Sequence, residues 1–136
     1  NLRIKISKMF HEVIKDCHYL TPQYTPKGYK NTYWTFTVLY ERDDVSWEDF
    51  RNKFNEFGGD GIYAAWKLSY QEDIMAKEAY KRVAPYYYKK LKYPDGICPV
   101  AEKIQPKLMQ FVTNYGSVEE AKPFVEALSK TIDFYK

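Results

Sequence analysis

Histidine and cysteine are scarce in this chain, two of each among 136 residues, and that scarcity removes whole classes of chemistry. A Ser-His or Cys-His nucleophile system needs an imidazole beside its nucleophile, and with only His11 and His18 it has very few ways to assemble. The two histidines stand seven residues apart, on one face of an expected helix, but no third ligand lies near them, so a metal site is not expected. Cys17 and Cys98 form neither a metal nor a redox spacing and read as buried or free thiols of a reducing compartment. Long apolar runs are missing as well, which excludes a helix spanning a bilayer and a membrane partner with it. Strong net charge is also absent: the sum is +3, with acids interspersed almost throughout, so nucleic acid is not the expected partner. Repeats and low-complexity stretches are lacking. There is no initiator Met and no charged-then-apolar leader, and the chain opens inside a helical pattern. A fragment of a cytoplasmic protein is expected, folded as a single domain over residues 1–136.

What the chain has in quantity is aromatic surface: 14 Tyr, 8 Phe and 3 Trp. Tyr combines an apolar ring with a polar tip and suits half-wet interfaces, with a partner or with a polyhydroxylated ligand. Leu2, Ile6, Met9, Val13 and Cys17 recur at three- and four-residue spacing and predict an amphipathic helix. Residues 21–30, with two prolines and Gly28, read as an extended connection. Residues 33–40 alternate as a strand, with Trp34, Phe36, Val38 and Tyr40 on one face. Ser46 and Asp49 form a capping box ahead of Trp47, Phe50, Phe54 and Phe57, and Gly58-Gly59 stops that helix. Residues 61–68 predict a second strand and residues 73–83 a helix. Pro99 opens a short helix to about Gln105, residues 108–112 predict a third strand, and Ser117 with Glu120 caps a last helix. That helix has Ala121, Phe124, Val125, Leu128 and Ile132 as its core stripe, and Pro123 within it predicts a kink or a late start. The sum is an α+β fold, a small mostly antiparallel sheet of about three strands covered by helices on one side.

Few residues carry chemistry by themselves. Residues 58–61, Gly-Gly-Asp-Gly, lack the Lys-Ser/Thr and the following helix of a phosphate loop and read as a helix stop. Residues 81–93 interleave Lys81, Arg82, Lys89, Lys90 and Lys92 with aromatics, the pattern of a stand-alone binding module for an acidic polymer, single-stranded nucleic acid or a partner protein, although Pro85 interrupts the face. Lys67, beside Trp66, Tyr63 and Tyr70, is placed either to bind an anion or to snorkel at a domain edge.

Three segments, in order, resemble the last third of the DegT/DnrJ/StrS family: residues 20–35 (LTPQYTPKGYKNTYWT), residues 58–67 (GGDGIYAAWK) and residues 98–105 (CPVAEKIQ). That family comprises fold-type I, pyridoxal-phosphate-dependent aminotransferases acting mainly on nucleotide-linked keto-sugars. The resemblance implies that this chain is the carboxy-terminal small domain. The Schiff-base lysine, the partner of the pyridine nitrogen and most phosphate contacts would belong to a large domain outside it. It implies a sugar-nucleotide substrate, a dimer mate and the chain's own large domain as partners. Pyridoxal phosphate would be the cofactor of the whole protein, with none expected on this chain alone, which should be inactive by itself. Carried onto these residues, Asn31 and Tyr33 enter the first strand facing the active site, and Tyr63, Trp66 and Lys67 run towards substrate. Tyr63 and Lys67 are then expected at the edge of a concave surface. The family commonly has His near Lys67, and a cation there suits a phosphate or a carboxylate.

Overall fold

The first apolar stripe folds as a helix, but of its predicted line only Ile6 is fully buried, Leu2, Met9 and Val13 being half-buried and Cys17 lying past the helix end. In the computed structural model Leu2–Ile14 forms α1, with Ile6, Phe10 and Ile14 buried at four-residue intervals. The described residues are 1–64, 67–83, 85–88 and 92–136, with Tyr63, Ala64, Tyr87 and Tyr88 described by their backbone alone. They fall into two compact units, Asn1–Ala64 with Lys107–Lys136, and Ala65–Pro106. In the first unit α1 is followed by β1 (Leu20–Pro22), β2 (Phe36–Tyr40), α2 (Trp47–Glu56) and β3 (Ile62–Ala64). The second unit carries the short helices α3 (Asp73–Ala76), α4 (Tyr80–Val83), α5 (Pro85–Tyr88) and α6 (Pro99–Ile104). The chain then returns to the first unit as β4 (Leu108–Phe111) and α7 (Val118–Phe134).

The architecture is α+β. The antiparallel sheet runs β1-β2-β4-β3, with Phe36 and Ile62 both opposite Phe111. One edge strand, β1, comes from the start of the expected connection: Leu20 pairs with Tyr40 and Pro22 with Val38, the proline being tolerated because the strand is at an edge. One face of β2 and β4 buries Phe36, Val38, Tyr40, Met109 and Phe111, while Thr37, Leu39, Leu108 and Gln110 on the other are half-buried. Trp34 departs from the predicted face and is 64% exposed. Tyr33 has φ 51°, so the chain turns there and regular pairing begins only at Phe36.

Aromatic rings join the helices to the sheet. Phe10 of α1 stacks on Phe36 at 5.4 Å, Phe50 of α2 meets Tyr40 at 5.5 Å, and Phe54 meets Phe111 edge-on at 5.6 Å. The last helix packs against α1 and α2 through Ala121, Val125, Leu128 and Ile132. It starts at Val118 and runs through Pro123 at the cost of one ladder bond, so there is no late start. Both predicted caps form, with a twist. Ser46 Oγ accepts from Asp49 N–H at 3.0 Å, but the Asp49 carboxylate accepts from the Ser46 hydroxyl at 2.7 Å rather than from its amide. Ser117 Oγ accepts from Glu120 N–H at 3.1 Å, and Glu120 reaches back one residue further, to Gly116 N–H at 2.8 Å.

The helix stop after α2 also has its physical reason. Gly58 has φ +94° and Gly59 N–H donates to the Phe54 carbonyl at 2.8 Å, closing the last turn. A Cβ on Gly59 would stand 2.3 Å from the ring of Phe54, which is itself fully buried. Gly59→Ala is therefore expected to cost about 1–3 kcal/mol by overpacking, read as a lower denaturation midpoint. Gly28→Ala, at φ +89° but in open space, should cost only its backbone penalty, about 1–2 kcal/mol.

Two predicted elements are shorter than expected. Of residues 61–68 only Ile62–Ala64 pairs as strand, residues 65 and 66 lie outside the described residues, and a 3-10 turn begins at Ser69. The helix expected over residues 73–83 is broken in two, because Glu78 takes a left-handed φ of 52°. Among the described residues no helix is long and apolar enough to cross a membrane.

Candidate functional site

The Asn31-Thr32-Tyr33 entrance to β2 is a constructed turn. Asn31 Oδ1 accepts from Tyr33 N–H at 2.9 Å, a side-chain turn of the kind that favours Asn. That bond accompanies a left-handed Tyr33, a conformation costing about 1–3 kcal/mol that persists only where the surroundings over-determine it. Three further contacts do so. Thr113, fully buried just after β4, donates its hydroxyl to the carbonyls of Tyr33 at 2.9 Å and Trp34 at 3.1 Å. Arg3 reaches the Trp34 carbonyl from α1 at 3.5 Å. His11, also on α1, lies 3.2 Å from the Tyr33 hydroxyl and meets its ring edge-on. Burial lowers the His11 pKa below its ordinary 6.5 against the opposing pull of Glu12. This favours the neutral ring, whose Nε2 can accept from the phenol.

Two open hollows flank the turn and share Lys30 and Thr32. One, of about 420 Å³, is lined by Arg3, Lys30, Thr32, Asn114 and Tyr115. The other, of about 270 Å³, is lined by Gln23, Tyr24, Tyr29, Lys30, Asn31 and Thr32. Tyr24 and Tyr29 are 81% and 77% exposed. Cations, planar amides and open aromatic faces in one place suit a ligand that combines negative charge with hydroxyls and a flat ring.

Asn31 and Tyr33 thus meet in one local turn. Tyr63 lies on β3 opposite Gln110, which pairs on its other side with Thr37; its side chain is outside the described residues, and so is Trp66. Lys67 belongs to the second unit, is exposed, and stands 3.9 Å from Asp73. Sequence reasoning missed Thr113 and gave His11 no role beyond excluding it as a metal ligand. Thr113 follows a strand and carries no local signal, since its role depends on a partner 80 residues away. His18 does not share a helix face with His11, because α1 ends at Ile14. Among the described residues no group of three His, Cys, Asp or Glu is placed to hold a metal ion.

Pyridoxal phosphate does not fit the described residues of this chain. Its Schiff-base lysine has to lie in an enclosed cleft, but no lysine among the described residues is buried, and the half-buried Lys53 and Lys81 are paired with Glu56 and Glu78. Of the basic-aromatic segment, Arg82 and Lys92 are exposed, while Lys89 and Lys90 lie outside the described residues.

In the second unit the carboxylate of Glu102 organises residues 95–98. It accepts from the Tyr70 hydroxyl, from Gly96 N–H at 2.8 Å and from Cys98 N–H at 3.3 Å. The Tyr70 hydrogen bond, with the two amides, holds the Glu102 carboxyl below its ordinary 4.5. A depressed carboxylate contributes stability above its ordinary pKa and loses that contribution as pH falls through the lower folded value. Protection of the Gly96 and Cys98 amides, relative to their intrinsic exchange at each pH, is accordingly expected to fall below pH 4.5, and Glu102→Gln should show lower protection already at neutral pH. Unchanged protection in the variant would remove Glu102 from this role. Compared with known proteins, the chain matches no family model and no curated protein.

Proposed function

We propose that this chain is the small domain of a pyridoxal-phosphate-dependent aminotransferase that moves an amino group onto a keto-sugar nucleotide. It shapes the substrate cleft and the dimer, while the Schiff-base lysine is supplied by a separate large domain. The observation that carries the reading is the turn at Tyr33. A strained residue braced by Asn31, His11 and Thr113 coincides with the longest segment of the resemblance, and such strain is characteristic of functional positions. In this reading Lys30 and Arg3 face the diphosphate, Asn31 and Thr32 the sugar hydroxyls, and the exposed Tyr24 and Tyr29 rings offer stacking faces. When bound, the cofactor supplies the electron sink for amino transfer; these residues bind and orient the sugar.

The test is amino transfer from glutamate to a nucleoside-diphosphate keto-sugar by the native gene product, followed by chromatography of the amino sugar. Product is expected, and Asn31→Ala should lower kcat/KM by about tenfold, the worth of one lost positioning contact of about 1.4 kcal/mol. Full activity in Asn31→Ala would remove the turn from the site. No transfer to any keto-sugar nucleotide would remove the function.

A further inference from the structure

Away from that turn, the corner where α1, β2 and α7 end forms a half-open hollow of about 390 Å³, within the range of small-molecule sites. Cys17, His18, Tyr19, Arg42, Tyr135 and Lys136 line it. Tyr19 is 3% exposed, and its buried hydroxyl has no hydrogen-bond partner. Leaving such a group unsatisfied costs about 1–3 kcal/mol, so this hydroxyl is a donor in want of an acceptor. Cys17 and Arg42 line the same hollow as this hydroxyl. Arg42 cannot accept, having only donors. It spends them on the Asp44 carboxylate at 2.5 and 2.9 Å and on the Tyr135 carbonyl at 2.5 Å, with its guanidinium 4.9 Å from the Tyr19 ring centroid. Burial raises the Tyr19 phenol well above its ordinary value, so it remains an O–H donor at neutral pH. The Cys17 sulfur, half-buried and free, is the neighbour that becomes a strong acceptor once it is anionic.

We propose that Cys17 is a thiol–disulfide exchange site for a small disulfide, with the Tyr19 hydroxyl donating to the reacting sulfur. Lys136 is already paired with Asp133 at 2.6 Å and Arg42 with Asp44, Asp16 also lines the hollow, and His18 is exposed within it. In the step, Cys17 gives its proton to solvent and its sulfur bonds to one sulfur of the disulfide. The original S–S bond breaks, and the second sulfur leaves as a thiolate that takes up a proton. Cys17 is oxidised to a mixed disulfide, and the departing thiol is the reduced product. This site is independent of the aminotransferase reading and stands or falls separately.

Cys98, exposed, is a built-in comparator. The native protein is incubated with oxidised glutathione, and modification at each cysteine is followed by peptide mass mapping. Cys17 is expected to react faster than Cys98 despite its lower exposure. Tyr19→Phe, which deletes only the unpartnered hydroxyl and should leave stability equal or higher, is expected to slow Cys17 by about tenfold, the scale of one hydrogen bond, with Cys98 unchanged. Faster reaction at Cys98, or an unaltered Cys17 rate in Tyr19→Phe, would overturn the proposal. The comparison of the two cysteines in the unaltered protein decides by itself if the variant fails to fold.

Discussion

Phe111→Ala is expected to destabilise the first unit by about 3–5 kcal/mol, the usual cost of truncating a fully buried Phe. Phe111 is 1% exposed and stands at the centre of the sheet, opposite both Phe36 and Ile62. Its ring lies 5.5 Å from Phe10, 5.6 Å from Phe54 and 6.3 Å from Phe36, so it bridges α1, α2 and the neighbouring strand. Removing it opens a space that three rings on three separate elements would have to fill, and each is already fixed by its own backbone. At about 4 °C per kcal/mol for a small domain, Tm should fall by at least about 12 °C. Tyr24→Ala, at an 81% exposed position, should change Tm little. Equal effects of the two substitutions would show that the aromatic core does not hold this fold.

Most of that core is legible in the sequence. Phe10, Phe50, Phe54, Val125 and Leu128 sit at helical spacing, and Phe36, Val38 and Tyr40 alternate, because one buried face imposes a fixed period on each element. The helix starts at Ser46 and Ser117 and the stop at Gly58 are legible too, since caps are local chemistry. The break at Glu78 and the displacement of Trp34 are not, because each follows from a left-handed non-glycine residue; at Tyr33 that conformation is braced by contacts distant in sequence. The candidate site divides in the same way. The bond from Tyr33 to Asn31 spans two residues and belongs to a recognisable Asn turn, whereas His11 and Thr113 arrive from 22 and 80 residues away. The 14 tyrosines gave no direction at all: Tyr19 and Tyr40 are core, while Tyr24, Tyr29 and Tyr86 are open to solvent.

Thr113→Val carries the second large effect, and it bears on the site. The substitution keeps shape while replacing a buried hydroxyl that serves two carbonyls at once. Leaving the Tyr33 and Trp34 carbonyls without this donor is expected to cost about 1–3 kcal/mol. The loss should also release Tyr33 from its left-handed conformation, because the Asn31 and His11 contacts then hold the turn without support from the β4 side. Equilibrium denaturation gives the first quantity, and amide exchange at Tyr33 gives the second, expected to rise. Thr113→Ser, which keeps the donor, should retain protection at Tyr33 even as it loses a buried methyl. If Thr113→Val matches the unaltered protein in both measurements, the turn is held by something other than this hydroxyl.

The sharpest single measurement is the visible spectrum of the native gene product before and after addition of glutamate. A small domain working beside a pyridoxal-phosphate-bearing large domain predicts a bound chromophore that bleaches when the amino donor is added. A colourless product that takes up no pyridoxal phosphate would contradict the aminotransferase assignment.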